Sequence, residues 1–87
     1  MLLMVVEDFK RGAHAVHERF QRSGRMLPDG VSYLASWIDV DGSRCYQLMD
    51  APSVAALDSW TVAWSDLIDF EVVPVLESHD YWSRTAH

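Results

Sequence analysis

The apolar positions in the first part of the chain predict a strand followed by a helix. Residues 1–7 are apolar at successive positions up to a final acidic residue, which is typical of a central strand buried on both faces. Residues 11–23 carry apolar side chains at helical spacing, and Gly24 ends that pattern, because glycine commonly terminates helices. The chain therefore opens with a β-α unit.

The next segment predicts a β-hairpin. Two strand-like runs, Val31–Val40 and Arg44–Met49, flank the dipeptide Asp41-Gly42, which favours a tight turn between antiparallel strands. With this dipeptide at the turn, oppositely charged and aromatic side chains face each other, as cross-strand energetics favours. The facing pairs are Asp39 with Arg44, Ile38 with Cys45, Trp37 with Tyr46, and Ala35 with Leu48.

The second half of the chain predicts another helix, a strand and a tail. Residues 52–64 begin with proline and serine and continue with apolar residues along one helical face, the pattern of an amphipathic helix. Ile68–Val75 predicts the last strand, at a sheet edge because Pro74 has no N–H group for a ladder hydrogen bond. Residues 78–87 form a polar and aromatic tail in which we expect one short helical turn.

The order β-α-β-β-α-β predicts a ferredoxin-like α+β fold, a four-stranded antiparallel sheet with both helices on one face. Eighty-seven residues leave no room for a second core, so we expect residues 1–77 to form one domain and residues 78–87 its tail. Helices on one side leave the other sheet face open. Because a mixed apolar face marks an interface or a pocket, we expect a homodimer, a dimeric α/β barrel with a cavity between its two sheets.

The predicted ligand site lies on this open face. Asp69 and Glu71 should point away from the core, because unpaired buried charge is costly. In the hairpin, strand alternation puts Ser36 and Gln47 on the same side, and their polarity assigns them to the open face. Gln47 also belongs to a central strand, where a buried amide must find hydrogen-bond partners. The predicted ligand-binding residues are Ser36, Cys45, Gln47, Met49 and Glu71, with Glu7 near the cavity mouth.

The tryptophans test this face assignment. Trp60 and Trp64 follow helical spacing, so we expect them in the core. Trp37, opposite Tyr46 in the predicted register, is expected under the helices as well. If the face assignment is inverted, Trp37 and Tyr46 line the cavity between the sheets instead.

Metal and nucleophile motifs are weak in this sequence. His14 and His17 share a helix face, but zinc needs a third protein ligand, so we expect surface histidines, no metal and no cofactor. Cys45 has no neighbouring histidine or helix N-terminus to lower its pKa, which favours a small apolar role. His79 and Asp80 could act as a base pair only if the tail folds over a pocket. Whether the protein is an enzyme stays undecided.

Charge and hydropathy limit the classes of partner that we expect. The net charge is −6, and the one group of cations, in residues 1–27, alternates with acids, whereas phosphate binding needs clustered cations. Nucleic acid is therefore not expected as a partner. The chain start lacks the basic region of a signal peptide, and no segment approaches the roughly 20 apolar residues of a membrane span. We therefore expect a cytoplasmic protein with no membrane partner.

Three segments, Trp37-Ile38, Arg44–Met49 and Trp64–Val75, resemble the uncharacterised bacterial family domain of unknown function 3303. The resemblance extends over almost the whole chain. It implies a ferredoxin-like fold related to dimeric α/β barrels. It implies no activity and no catalytic residues, so it supports the architecture and leaves the function open.

Three function classes remain. The first, which we favour, is a homodimer that binds a small apolar or amphipathic molecule in a cavity between its sheets. A second is a cofactor-independent enzyme of the oxygenase or isomerase kind, since such barrels work on substrate without a bound metal. The third is a structural or protein-interaction subunit whose apolar sheet face is only a dimer contact.

Overall fold

The computed structural model describes residues 1–85 and has the predicted α+β architecture. Helices and strands follow the order β-α-β-β-α-β, and a further helix follows the last strand. The elements are β1 (Leu2–Phe9), α1 (Ala13–Ser23), β2 (Ser32–Ile38), β3 (Arg44–Asp50), a 3-10 helix (Val54–Leu57), α2 (Asp58–Trp64), β4 (Ile68–Val75) and α3 (Ser78–Thr85).

The four strands form one antiparallel sheet in the order β2-β3-β1-β4, which is the strand order of a ferredoxin-like fold. β1 is central, as its apolar run predicted, and Leu3 and Val5 are fully buried. β4 is an edge strand, which confirms the position inferred from Pro74. The core lies between the sheet and α2, where the ring of Trp60 packs 5.1 Å from that of Phe70, centroid to centroid.

The predicted hairpin register is confirmed, although the turn is longer than two residues. The Asp39 N–H donates to the Arg44 carbonyl at 2.9 Å, and the Gly42 N–H donates to the Asp39 carbonyl at 2.8 Å. Gly42 has φ +76°, a left-handed conformation that glycine adopts without steric cost. The Arg44 side chain pairs with Asp8 on β1, Nε to Oδ1 at 2.9 Å, rather than with Asp39. The facing pairs are Ala35 with Leu48, Trp37 with Tyr46, and Ile38 with Cys45.

The face assignment of the hairpin was wrong. Cys45, Gln47 and Met49 are buried on the side of the sheet that the helices cover, and Ser36 is the register partner of Gln47 on that side. Trp37, expected in the core, is 55% exposed on the open face. Alternation with period two separates the residues of a strand into two sets but does not say which set is covered.

On β4 the inward and outward sets are as predicted. Phe70 and Val72 pack against the core, whereas Asp69 and Glu71 are exposed. The charged residues identified the solvent side correctly here because neither of them has a buried partner of opposite charge. The same reasoning failed for Gln47, which is polar but hydrogen-bonded inside the fold through both its amide nitrogen and its amide oxygen.

The second predicted helix is divided. Ser53 opens a 3-10 helix by accepting a hydrogen bond from the Ala56 N–H at 3.3 Å, an N-cap arrangement, and α2 follows without a break. Trp60 and Trp64 on α2 are buried, which confirms the expectation from their spacing.

The helix α1 contributes no fully buried residue. Its C-terminal end is closed by Gly24, whose N–H donates to the Phe20 carbonyl at 2.7 Å. Arg19 ties α1 to the end of α2 through two hydrogen bonds to Asp66, at 2.7 and 2.6 Å. The guanidinium of Arg19 also lies over the ring of Trp64. α1 therefore packs on the core through half-buried apolar side chains, and these polar contacts at the surface add to that packing.

The open face of the sheet has no covering layer among residues 1–85. The Cα atoms span 49 × 30 × 17 Å, and the short dimension accommodates only the helices and the sheet. Met4, Val6, Tyr46 and Leu48 are half-buried on this face, beside the exposed Trp37. A sheet usually buries its apolar face against a second layer, and residues 1–85 supply no such layer here.

The tail forms a two-turn helix, α3, rather than the single short turn expected. It lies beside the end of the sheet where Leu2 and Val75 are paired, and it exposes the aromatic side chains of Tyr81 and Trp82. Residues 86–87 of the predicted tail lie outside the described part of the chain. Of the helices within residues 1–85, none has the length and apolar character that a membrane crossing requires.

Candidate functional site

A cavity of about 330 Å³ lies between α1 and the helix-covered face of the sheet. Its walls are mostly apolar and aromatic, with a few polar side chains brought together from β1, β2, β3 and the α1–β2 connection. The lining residues are Glu7, Phe9, Ala13, Val16, His17, Phe20, Arg25, Ser36, Ile38, Cys45, Gln47, Trp60, Trp64 and Ile68.

A chain of hydrogen-bonded polar side chains crosses the sheet side of this cavity. The Gln47 side-chain amide donates from Nε2 to Oε2 of Glu7, and Arg25 donates from Nε to Oε1 of Gln47 at 3.1 Å. Glu7 and Gln47 lie diagonally across the β1–β3 pair, since Glu7 is opposite Cys45 and Gln47 is opposite Val5. Diagonal neighbours on one face are within reach of long side chains.

Glu7 is a protonatable group at neutral pH. Its side chain is 2% exposed, and burial raises its pKa to about 7, against the opposing effects of the Gln47 hydrogen bond and the Arg25 charge. A buried carboxyl group favours its neutral form because the charged form loses its hydration. The protonation state of Glu7 therefore changes near neutral pH.

Arg25 is held on several sides. Its guanidinium lies 3.7 Å from the ring centroid of Tyr33 and 5.2 Å from that of Phe20, an arrangement that cation–π attraction stabilises. Its backbone carbonyl accepts hydrogen bonds from the indole Nε1 atoms of Trp60 at 3.0 Å and Trp64 at 3.1 Å. The connection after α1 is thereby fixed to α2, and the Arg25 side chain is directed to Gln47.

The rim on β2 is formed by two hydroxyl groups. The Tyr33 hydroxyl lies 2.8 Å from Ser36 Oγ. A register shift between Tyr33 and Ala35 brings Tyr33 opposite Met49, on the helix-covered side. Without this irregularity the ring of Tyr33 would not be available to Arg25, because single-residue shifts exchange the two faces of a strand.

Cys45 lines the cavity but is not a strong nucleophile. Burial, followed by the negative charge of Glu7, raises the pKa of its thiol to about 11. The thiolate is the reactive form, so at neutral pH this side chain acts as a small apolar wall, which is the role that the sequence favoured.

The histidines do not form a metal site in the described structure. His17 lines the cavity, whereas His14 is exposed and lies 3.7 Å from Glu18, Nε2 to Oε2. Within residues 1–85, no group of three or more histidine, cysteine, aspartate or glutamate side chains has the arrangement that holds a metal ion. His79 and Asp80 lie on α3 and do not line the cavity.

The structure brings together four of the six predicted site residues. Ser36, Cys45, Gln47 and Glu7 line the cavity. Met49 is fully buried in the core, and Glu71 is exposed on the open face, so neither reaches the cavity.

Sequence reasoning missed Arg25, and also Phe20, His17 and Tyr33. The sequence carried one signal for a residue such as Arg25. A buried glutamine amide needs both a hydrogen-bond donor and an acceptor as partners, so a donor had to lie near Gln47. Nothing in the chain order of Glu7, Arg25 and Gln47 showed that the three would meet.

The comparisons with known proteins give a family match. The family model described as Domain of unknown function (DUF3303) matches residues 1–85. No curated protein and no solved structure matches this chain.

Proposed function

Since the chain belongs to the family Domain of unknown function (DUF3303), we propose its function from the site alone: it binds a small amphipathic molecule in the cavity between α1 and the sheet. One observation carries this proposal. An apolar cavity of about 330 Å³ has the hydrogen-bonded group Glu7–Gln47–Arg25 along one wall. Mostly apolar pockets with a few convergent polar groups are the usual form of small-molecule sites.

The proposed site lies within one protomer rather than between two sheets. The residues expected to line an inter-sheet cavity, Cys45 and Gln47 among them, are on the helix-covered face. The ligand would enter beside α1, because the side chains of that helix along the cavity are half-buried or exposed and none is fully buried.

The cavity limits the size and character of the ligand. Its volume is near the lower end of the roughly 300–1,000 Å³ found for small-molecule pockets. At about 30 Å³ for each water-sized group, it has room for roughly ten non-hydrogen atoms. Aromatic walls from Phe20, Trp60 and Trp64 suit a flat apolar body, and Glu7 and Arg25 suit a polar head group.

Proton-transfer catalysis on the bound molecule is the second candidate function. The pKa of Glu7, about 7, is near the value at which a general acid or base works best at neutral pH. Among the enzyme classes considered from sequence, this observation favours the isomerase kind, in which a carboxyl group moves a proton without a bound cofactor.

We also propose that a second copy of the chain covers the open sheet face. Half-buried apolar side chains and the exposed Trp37 lie there, and a two-fold dimer places the same apolar patch on both sides of its interface. An open face that is only a dimer contact is compatible with a ligand site, because the proposed cavity is on the other side of the sheet.

The area of the sheet indicates that such a dimer uses more than the strands. Four strands about 4.8 Å apart, each about seven residues long at about 3.3 Å per residue, present roughly 440 Å². A stable interface buries about 800 Å² on each partner. Tyr81 and Trp82 on α3, at the end of the sheet, are exposed aromatic residues of the kind that interfaces favour.

Methyl benzoate, a neutral one-ring ester small enough for the cavity volume, tests the proposed cavity. Its binding should shift the indole N–H resonances of Trp60 and Trp64, which line the cavity, and leave those of Trp37 and Trp82 unchanged. A Val16→Trp variant should block binding by filling the cavity from α1, whereas Val62→Trp on the exposed side of α2 should not. Unchanged indole resonances at millimolar ester would overturn the proposal.

Native mass spectrometry of gently purified protein tests both proposals on the natural ligand. A dimer mass with a small-molecule adduct supports ligand and partner together. For the dimer alone, sedimentation velocity at micromolar concentration should give twice the 9.9 kDa chain mass, and a monomer there would refute it.

A further inference from the structure

We propose that the ligand carries an anionic oxygen group, of the carboxylate, enolate or phenolate class, which binds the guanidinium of Arg25. This inference rests on the proposed function and names its ligand class. It starts from the geometry of Arg25, which lines the cavity, and from the charges around it.

The outer nitrogens of Arg25 are the part of its side chain that is available. Nε donates to Gln47, and the flat guanidinium lies near the rings of Tyr33 and Phe20. Within residues 1–85, neither Nη1 nor Nη2 has a hydrogen-bond or ion-pair partner. A guanidinium fixed in this manner presents its N–H fork to a planar oxygen group, which is the geometry of bidentate recognition.

The charges of the site also favour an anion. Of the described residues that line the cavity, Arg25 alone is charged at every pH of interest, and Glu7, His17 and Cys45 are the titratable ones. Glu7 is the carboxyl group that the hydrogen-bonded chain joins to Arg25 through Gln47. Burial raises the pKa of Glu7 to about 7. With Glu7 protonated, the Arg25 charge has no counter-ion in the cavity, so an anionic ligand would complete the pair in an environment of low dielectric.

Arg25 also has a structural task, and the test must separate the two roles. Its backbone carbonyl holds the indoles of Trp60 and Trp64, and a side-chain substitution leaves that carbonyl in place. Arg25→Gln removes the charge and the fork. Arg25→Lys keeps the charge without the fork, so it should retain part of any preference for anions.

The experiment compares benzoate with methyl benzoate at neutral pH, by calorimetry and by the indole N–H resonances of Trp60 and Trp64. We expect the wild-type protein to bind the acid at least about tenfold more tightly than the ester. Arg25→Gln should bind the two probes equally, and Arg25→Lys should show an intermediate preference. The Arg25 Nη–H resonances of the wild-type protein should shift with the acid and not with the ester.

Each outcome decides a different point. If neither probe binds, the proposed cavity function fails and this inference fails with it. If both bind equally to the wild-type protein, the cavity stands and the anion inference is wrong. A preference for the acid that persists in Arg25→Gln also refutes the role of Arg25. If that variant does not fold, the Arg25 resonances in the wild-type protein still decide the question.

Discussion

The side-chain amide of Gln47 on β3 donates to the carboxyl group of Glu7 on β1, and the two side chains are 6% and 2% exposed. Arg25 donates to the same glutamine from the other side. Gln47 thus provides a hydrogen-bond partner both for a buried acid and for a half-buried cation, which it links. A polar group of this kind is stable inside a protein only when its hydrogen bonds are complete, which makes the contact a sensitive point for both stability and ligand binding.

Gln47→Leu should destabilise the fold by about 1–3 kcal/mol, because it leaves the buried carboxyl group of Glu7 without its hydrogen-bond donor. Urea unfolding followed by tryptophan fluorescence measures the change. Gln21→Leu, an exposed substitution on α1, is the matched control and should change stability by less than about 0.5 kcal/mol. Equal stabilities for the two variants would show that the buried hydrogen bonds contribute nothing.

The stability of the wild-type protein relative to Glu7→Gln should depend on pH. The pKa of Glu7 is raised from 4.5 to about 7 in the folded state, so between these values the folded chain holds a proton that the unfolded chain has lost. The contribution of Glu7 to the free energy of unfolding is therefore most favourable below pH 4.5. It decreases as the pH rises towards 7, by up to about 3 kcal/mol.

Glu7→Gln mimics the protonated carboxyl group and removes this dependence. Its stability minus that of the wild-type protein should increase from pH 4.5 to 7.5 in urea unfolding experiments. Glu71→Gln, on the exposed side of β4, should follow the wild-type curve throughout. Parallel curves for the wild-type protein and Glu7→Gln would contradict the raised pKa.

Asp66→Asn should loosen α1 with little effect on global stability. The ion pair with Arg19 is exposed, and such pairs contribute little to folding, yet α1 has only half-buried apolar side chains and no fully buried one to hold it. Amide hydrogen exchange in α1 should therefore accelerate severalfold while exchange in β1 stays constant. Asp29→Asn, in the exposed turn before β2, is the control. Unchanged exchange in α1 would mean that apolar contacts alone hold this helix.

Trp37→Lys should abolish the proposed dimer. It places a charge on the open face at the edge strand β2, where burial on both partners would leave that charge unpaired. Sedimentation velocity at micromolar concentration should show a monomer that is still folded, because Trp37 is 55% exposed in the single chain. Val62→Lys, on the outer side of α2, should sediment as the wild-type protein does.

Removal of residues 78–87 should weaken the proposed dimer without unfolding the sheet. α3 lies at the end of the sheet and has no residue among the described core residues, but its exposed aromatic side chains would supply part of the interface area. Dilution in analytical ultracentrifugation should give a dissociation constant at least tenfold higher than for the full chain. An unchanged constant would confine the interface to the strands.

The order of strands and helices, the hairpin register and the edge position of β4 were predictable from the sequence, because each depends on local chemistry. Asp41-Gly42 determines where the chain reverses, and that reversal determines the pairing of Trp37 with Tyr46. Pro74 excludes a central position for β4, since it lacks an N–H group. These features need no knowledge of distant residues.

The tertiary structure alone decided which face of the hairpin is covered and where the site lies. The polarity of Gln47 assigned it to the open face, but Glu7 and Arg25, distant in sequence, supply its hydrogen-bond partners on the helix-covered face. Alternation along a strand defines two sets of side chains with equal regularity. Only the packing of α1 and α2 on one set, and the partners that packing brings to a buried amide, determine which set becomes the cavity.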